Sequence, residues 1–271
     1  MTFQSGPNVD CALNFGALYR RDFTDCEYAA FRSLQATTGT LISGSTMLEF
    51  FGTNTFSVAD LDLFVQHTFG KEVGLWLISI GYLYRPRQAQ HKDFNTAYAH
   101  PDYDCDYGGQ GIGDVYNFSR SGSRNVQLVT GLYSAFELIL SFHSTLVMNF
   151  ATHRTAYSLF PFATFVQRRA LSRPLSTAAE RDAKAKYEGR GWRFEDPGDE
   201  YAVQSAPDLA DCSRKVGDAR CWVVKLPHQE GLRFDDVVSN TWYHGRTWSN
   251  ELEMTYGRYS SKLLRYKYVR Y

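Results

Sequence analysis

Residues 40–66 read TLISGSTMLEFFGTNTFSVADLDLFVQ. The apolar run 40–43 predicts a strand, because it is too brief for a helix and stops at a Gly-Ser pair. Apolar residues recur at helical spacing over 46–51, and Gly52 ends that segment. Residues 60–66 begin with a strict polar and apolar alternation, which is typical of a half-buried strand. The stretch therefore predicts a strand, a turn, a short helix and a second strand.

The second predicted strand begins with two carboxylates, Asp60 and Asp62. Side chains two residues apart on a strand point to one face, so Leu61 and Leu63 are expected to face the core. Two carboxylates on one face repel each other unless a cation lies between them. Mg²⁺ suits this position, because it takes carboxylate oxygens and keeps other coordination sites for water and phosphate. Asp60 and Asp62 are thus candidate metal ligands and candidate catalytic residues.

Gly44 and Ser45 follow the first predicted strand and open the predicted helix. A glycine allows close approach of the backbone, and the free amides of a helix N-terminus attract phosphate. If the two strands are neighbours, this phosphate site adjoins the metal site, as phosphoryl or nucleotidyl transfer requires. Each motif also has a purely structural interpretation, since Gly-Ser is a common turn pair and Asp-x-Asp is often a solvated strand face.

The run 41–45 (LISGS), followed by 60–64 (DLDLF), resembles the signature of the DNA polymerase β-like nucleotidyltransferase superfamily. In that family a Gly-Ser pair precedes an acidic pair on the next strand. The resemblance implies an α+β fold with a mixed sheet backed by helices, two bound Mg²⁺ ions and a nucleoside triphosphate such as ATP. It assigns phosphate binding to Gly44 and Ser45, and metal binding to Asp60 and Asp62. Two later runs, NVQLV and ILSFH, resemble fungal and large-virus members, so the resemblance covers about residues 25–165.

The chain departs from this pattern at the third carboxylate, which active members usually carry on a later strand. The best local match is 125–129, whose polar centre is Gln127. A neutral amide can bind an oxygen or a water, but it is a poor base and a weaker metal ligand than a carboxylate. Asp114, Asp104 or Asp106 could supply the missing group. The sequence leaves both a substituted catalytic site and an inactive nucleotide-binding site open.

The whole chain divides by composition into four predicted regions. These are an irregular leader over 1–24, a nucleotidyltransferase-like core over 25–170, a linker with a polar helix over 171–210 and a small C-terminal addition over 211–271. The core is expected to contain a helix over 25–35 that is N-capped by Asp25, further helices over 67–81 and 133–140, and a hairpin formed by 114–120 and 125–130. The segment 85–113 is predicted to be a long loop.

Composition limits the classes of partner. Lys plus Arg equals Asp plus Glu at 29 each, so bulk electrostatic capture of nucleic acid is not expected. The five cysteines form no CxxC pair, which favours reduced thiols in an intracellular protein, cytoplasmic or nuclear. We expect no signal peptide and no membrane span, because no sufficiently long apolar run occurs.

Two functional hypotheses follow from the sequence. The first is a Mg²⁺-dependent transfer of a nucleotide from a triphosphate to an unknown acceptor, which could be RNA, a protein or a small molecule. The second is a catalytically inactive nucleotide-binding or protein-interaction module of the same fold. A glycosyltransferase interpretation of Asp-x-Asp is weaker, because no alternation of strands and helices precedes the motif.

Overall fold

The computed structural model describes residues 16, 19–52, 60–101, 111–197, 199, 203–232, 234–249 and 251–271. Its α-helices are α1 (Asp25–Thr38), α2 (Ser45–Phe51), α3 (His67–Ser79), α4 (Phe94–Ala99), α5 (Ala135–Leu140) and α6 (Ala178–Glu188). The first nine strands are β1 (Leu41–Ser43), β2 (Leu61–Gln66), β3 (Leu83–Arg85), β4 (Ile112–Ser119), β5 (Val126–Gly131), β6 (Asn149–Ala151), β7 (Thr155–Ser158), β8 (Arg169–Leu171) and β9 (Arg193–Glu195). The remaining strands are β10 (Cys212–Lys215), β11 (Trp222–Lys225), β12 (Thr241–Arg246), β13 (Leu252–Thr255), β14 (Gly257–Tyr259) and β15 (Tyr268–Arg270).

The main sheet has eight strands in the order β11-β7-β6-β1-β2-β5-β4-β3. Strands β2 and β5 are parallel, whereas the other neighbouring pairs are antiparallel. A separate three-stranded sheet has the order β10-β12-β13. The expected α+β class with a mixed sheet and helices is therefore confirmed.

Apolar side chains pack on both faces of the main sheet, because its strands alternate between two cores. Leu61 and Leu63 belong to the core that includes apolar residues of α1, α3 and α4. Phe64 and Val129 belong to the opposite core, which includes α5 and Trp242 of the small sheet. The expectation that Leu61 and Leu63 face the core is confirmed.

The N-cap of helix α1 lies one residue earlier than predicted. Thr24 is the N-cap, and its side chain accepts a hydrogen bond from the backbone N–H of Glu27. The Glu27 carboxylate in turn accepts from the Thr24 backbone N–H, which completes a capping box. Asp25, the predicted N-cap, is instead the first helical residue, and that prediction was wrong.

The predicted hairpin is present, with β4 antiparallel to β5. The predicted loop over 85–113 contains helix α4, which Asp93 caps by accepting from the backbone N–H of Thr96. Polar residues and glycines around the helix hid it in the sequence. Cys105, Asp104 and Asp106 fall in 102–110, outside the described residues.

The C-terminal region contributes directly to the main sheet. Strand β11 pairs antiparallel with β7, with Trp222 opposite Ser158 and Lys225 opposite Thr155. The region 211–271, predicted as a small addition, thus supplies an edge strand to the sheet that carries the acidic pair. Its side chains bury apolar surface in the same cores as the preceding region.

Candidate active site

The acidic pair and the Gly-Ser pair meet where β1 ends and β2 begins. The two strands are antiparallel neighbours, and Ser43 is the register partner of Asp62. Gly44 therefore follows β1 beside the first residues of β2, and Ser45 is the first residue of α2. The predicted strand, turn, helix and strand unit is confirmed, and it brings Gly44 next to Asp62.

Gly44 is required by the closeness of this contact. A Cβ atom on residue 44 would lie 2.0 Å from Asp62 Oδ2, closer than a side-chain carbon can approach an oxygen. The backbone of Gly44 also has φ of 70°, a left-handed value that glycine adopts most easily. The Asp62 carboxylate can therefore lie against the backbone only because residue 44 has no side chain.

Asp62 is in an unusual electrostatic environment for a carboxylate. Burial and then the nearby negative charge of Asp60 raise the pKa of Asp62 from 3.8 to about 7, while Lys186 and Arg124 lower it. An acid with this pKa binds a proton or a cation readily at neutral pH, because either one removes the repulsion between the two carboxylates.

Gln127 lies beside Asp62 on the neighbouring strand. The two residues are direct partners in the parallel pairing of β2 with β5, and Phe64 and Val129 form the next matching pair. Gln127, the polar centre of the run 125–129, is thus the nearest residue to Asp62 on β5. The structure brings an amide, not an acid, to this position.

Asp114 lies on the other face of the main sheet. Its neighbours at alternate positions of β4, Tyr116 and Phe118, pack in the core of Leu61 and Leu63. Its carboxylate is fully buried, and its Oδ1 forms an ion pair of 2.5 Å with Arg87 and accepts from Gln90 Nε2. The structure therefore does not bring Asp114 to the acidic pair.

A pocket of about 400 Å³ lies over Asp62 and Gln127. Its lining combines polar groups, among them the Gly44 backbone and the Ser45 hydroxyl, with apolar side chains. The residues that line it include Gly44, Ser45, Asp62, Phe64, Gln127, Val129, Phe142, His143, Lys186 and Tyr187.

Helix α6 closes one side of this pocket, although its sequence predicted only a polar helix within a linker. Lys186 lines the pocket, and both Asp60 and Asp62 raise its pKa, but burial and then the neighbouring Arg190 lower it more. Tyr187 also lines the pocket, and its pKa is raised by burial and then by Asp62. Sequence analysis missed both residues, because a polar helix carries no local sign of which surface it covers.

His143 is another pocket residue without a predicted role. Burial lowers its pKa, so the neutral imidazole is favoured, although Glu180 opposes this effect. Its ring lies 6.3 Å from that of Tyr187 in a stacked arrangement. Among the described residues, the buried Nδ1 of His143 has no hydrogen-bond partner.

A buried ion pair is linked to the backbone of Asp60 through Thr46. Arg124 pairs with Asp22, and its Nη1 donates to Thr46 Oγ1 over 3.1 Å. Thr46 Oγ1 in turn donates to the backbone carbonyl of Asp60 over 3.3 Å. This chain of contacts fixes the position of Asp60 at the start of β2.

The donor atoms of this site fit a hard divalent cation. Asp60 and Asp62 supply carboxylate oxygens, and Gln127 and Ser45 place an amide and a hydroxyl at the same pocket, all of which are ligand types for Mg²⁺. Within the part of the chain that the structure describes, no third His, Cys, Asp or Glu joins the pair in a ligand cluster. The residues fit one weakly held Mg²⁺ better than a closed protein cage.

Comparisons with models of known families, with curated proteins and with solved structures give no match for this chain. Among the described residues, no helix has the length and apolar character needed to cross a bilayer.

Proposed function

We propose that this protein binds a nucleoside triphosphate as its Mg²⁺ complex and transfers the nucleotide to an acceptor hydroxyl, which forms a bond to the α-phosphate and releases pyrophosphate. The observation that carries the proposal is the closeness of two carboxylates, Asp60 and Asp62, to the ammonium group of Lys186, with Asp62 and Lys186 both lining one pocket. A carboxylate pair holds the metal, and a nearby ammonium group attracts the phosphates. The order of Gly-Ser and Asp-x-Asp along the chain is the second support, through its resemblance to nucleotidyltransferases.

The residues of the pocket have separate roles in this proposal. Asp60 and Asp62 would hold Mg²⁺, which supplies charge neutralisation at the triphosphate when it is bound. Gly44 lets the phosphate chain approach the backbone, and the Ser45 hydroxyl donates to a phosphate oxygen. Lys186 contributes a positive charge from α6. The apolar side chains of Phe64, Val129 and Phe142 in the lining suit a base or an acceptor.

Gln127 favours a second candidate function, which is nucleotide binding without turnover. The amide lies where a third carboxylate would activate the attacking hydroxyl, and an amide cannot accept that proton at neutral pH. Under this alternative, the protein would bind Mg²⁺ and triphosphate and present the complex to a partner.

The first test measures transfer of an α-phosphate-labelled nucleotide to RNA, protein or small acceptors with Mg²⁺. Transfer is expected with the native chain and is expected to disappear in Asp60→Ala. Asp182→Ala removes an exposed carboxylate of α6 that does not line the pocket, and it should keep full activity. Undiminished transfer in Asp60→Ala would refute the assignment of this site.

A second experiment separates the two candidate functions. If the native chain binds Mg²⁺ and triphosphate by calorimetry but gives no transfer, Gln127→Asp should create transfer, because it places a carboxylate directly beside Asp62. Asn117→Asp adds a carboxylate one strand further away, opposite Gln127, and serves as the control. Absence of binding in the native chain would exclude both functions.

A further inference from the structure

Arg32 of α1 is a buried cation that has no carboxylate partner among the described residues. Its side chain is only 4% exposed. Nε donates to the His153 carbonyl over 2.9 Å, and Nη2 donates to the Pro227 carbonyl over 2.8 Å. No described carboxylate lies within ion-pair distance of Arg32. Since buried charges in proteins are normally paired, an anion is the missing partner.

A cleft of about 350 Å³ opens beside this guanidinium. Further positive or titratable groups line it: Arg154 next to β7, Lys225 at the end of β11 and His228 after it. Lys225 is the register partner of Thr155, so Lys225 and Arg154 lie at the same end of neighbouring strands. The exposed ammonium of Lys225 has no ion-pair partner among the residues that the structure describes.

The acidic residue in this cleft does not neutralise it. Asp235 is held by its own donors, because its Oδ2 accepts from Thr152 Oγ1 over 2.6 Å and its Oδ1 accepts from the Val237 backbone N–H. Among the described residues that line the cleft, Asp235 is the carboxylate, and it is already hydrogen-bonded. Lys225 therefore keeps donor hydrogens and a positive charge for a ligand.

The cleft lies at the opposite end of the sheet from the candidate active site. Asp62 pairs with Ser43, the last residue of β1. The Ser43 hydroxyl donates to the carbonyl of Asn149 in β6, and Asn149 is the register partner of Ser158, the last residue of β7. Lys225 pairs with the other end of β7, at Thr155. The two pockets share no lining residue.

We propose that this cleft is a second anion site, which binds a phosphate group through Arg32, Arg154 and Lys225. Phosphate is the chemical class that fits, because its several oxygens can accept from a guanidinium and an ammonium at the same time. Both inorganic phosphate and a phosphomonoester carry this group. The site is independent of nucleotide transfer at Asp60 and Asp62.

The test is calorimetric titration of the full chain with inorganic phosphate, glycerol phosphate and acetate at constant ionic strength. Saturable binding of phosphate is expected, with acetate much weaker. Lys225→Gln and Arg154→Gln should each weaken phosphate binding at least about fivefold, because each removes a charge-assisted donor. The glycerol phosphate titration distinguishes free phosphate from a phosphorylated ligand as the preferred occupant.

Two control variants locate the binding. Lys215→Gln removes an exposed lysine of β10 outside the cleft and should keep native phosphate affinity. Lys186→Ala removes the lysine of the candidate active site, so it shows whether phosphate binds there instead of in the cleft. The proposal is overturned if phosphate does not bind, if Lys215→Gln weakens binding as much as Lys225→Gln does, or if Lys186→Ala alone abolishes it.

Discussion

Gly44 determines how closely Asp62 can lie to the end of β1. In Gly44→Ala the new Cβ would collide with Asp62 Oδ2, so the carboxylate must move. We expect Mg²⁺ affinity to fall about tenfold or more, as displaced metal ligands usually cause. Stability should also fall by about 1–3 kcal/mol, because alanine is strained at a positive φ. Calorimetric Mg²⁺ titration and thermal unfolding measure the two effects.

Gly122 is a matched control for this substitution. Its φ of 77° is close to that of Gly44, but a Cβ at residue 122 would contact nothing within 4 Å. Gly122→Ala should therefore show the backbone strain without the loss of Mg²⁺. Equal loss of Mg²⁺ affinity in both variants would attribute the effect to strain and not to the displaced carboxylate.

The raised pKa of Asp62 predicts a pH dependence of stability in the absence of Mg²⁺. Between about pH 4 and pH 7, Asp62 is ionised in the unfolded chain but protonated in the folded one, so stability falls as pH rises through this range and stays low above it. Asp62→Asn removes this penalty and should stabilise the chain at pH 8 by on the order of 2 kcal/mol, with a smaller gain at pH 5. Urea unfolding at both pH values tests this.

Asp218 provides a comparison with the opposite sign. Hydrogen bonding and the charge of Arg214 lower the pKa of Asp218 despite the opposing effect of burial. Its stabilising contribution is therefore present above its unfolded pKa and is lost as pH falls through its folded pKa. Asp218→Asn should destabilise the chain at pH 8. Destabilisation by Asp62→Asn at pH 8 as well would contradict the raised pKa of Asp62.

At the scale of elements, the polar helix α6 contributes side chains to the candidate active site. Lys186 lines the pocket, whereas Lys184 lies 3.8 Å from Glu188 on the same helix and does not line it. Lys186→Ala should weaken triphosphate binding about tenfold, since hydrogen bonds to charged groups are among the stronger ones. Lys184→Ala should leave it unchanged. Calorimetry with a triphosphate and Mg²⁺ measures both, and equal effects would exclude a specific contact of Lys186.

Local sequence patterns predicted the presence of helices and strands better than the residues at which they begin and end. The N-cap of α1 was predicted at Asp25 but is Thr24, because both residue types are good N-caps and only the observed hydrogen bond decides between them. Ser45 begins α2 one residue before the predicted start. Helix α4 was missed because its six residues are too short to show a clear helical period.

At the scale of the whole molecule, β11 predicts cooperative unfolding across the predicted boundary at residues 210 and 211. Val224 of β11 is buried in the same core as α1 and β2, and Arg32 of α1 binds the carbonyl of Pro227. Scanning calorimetry should give a single transition. Val224→Asp should lower the midpoint temperature of this transition by burying an unpaired charge. Val223→Thr, which changes a half-buried position of the same strand, is the comparison variant. Separate melting of 211–271 would contradict this prediction.

The sequence by itself determined the unit of β1, α2 and β2, the inward orientation of Leu61 and Leu63, and the hairpin of β4 and β5. These features depend on alternation and turn residues within a few positions, which are local physical constraints. Only the tertiary structure decided that Gln127 pairs with Asp62 and that Asp114 lies on the other face of the sheet. It also decided that Lys186 lines the pocket and that a cleft opens beside Arg32. Such relations are set by strand register and by the burial of distant apolar segments together, and no local pattern encodes which polar side chains that burial brings into contact.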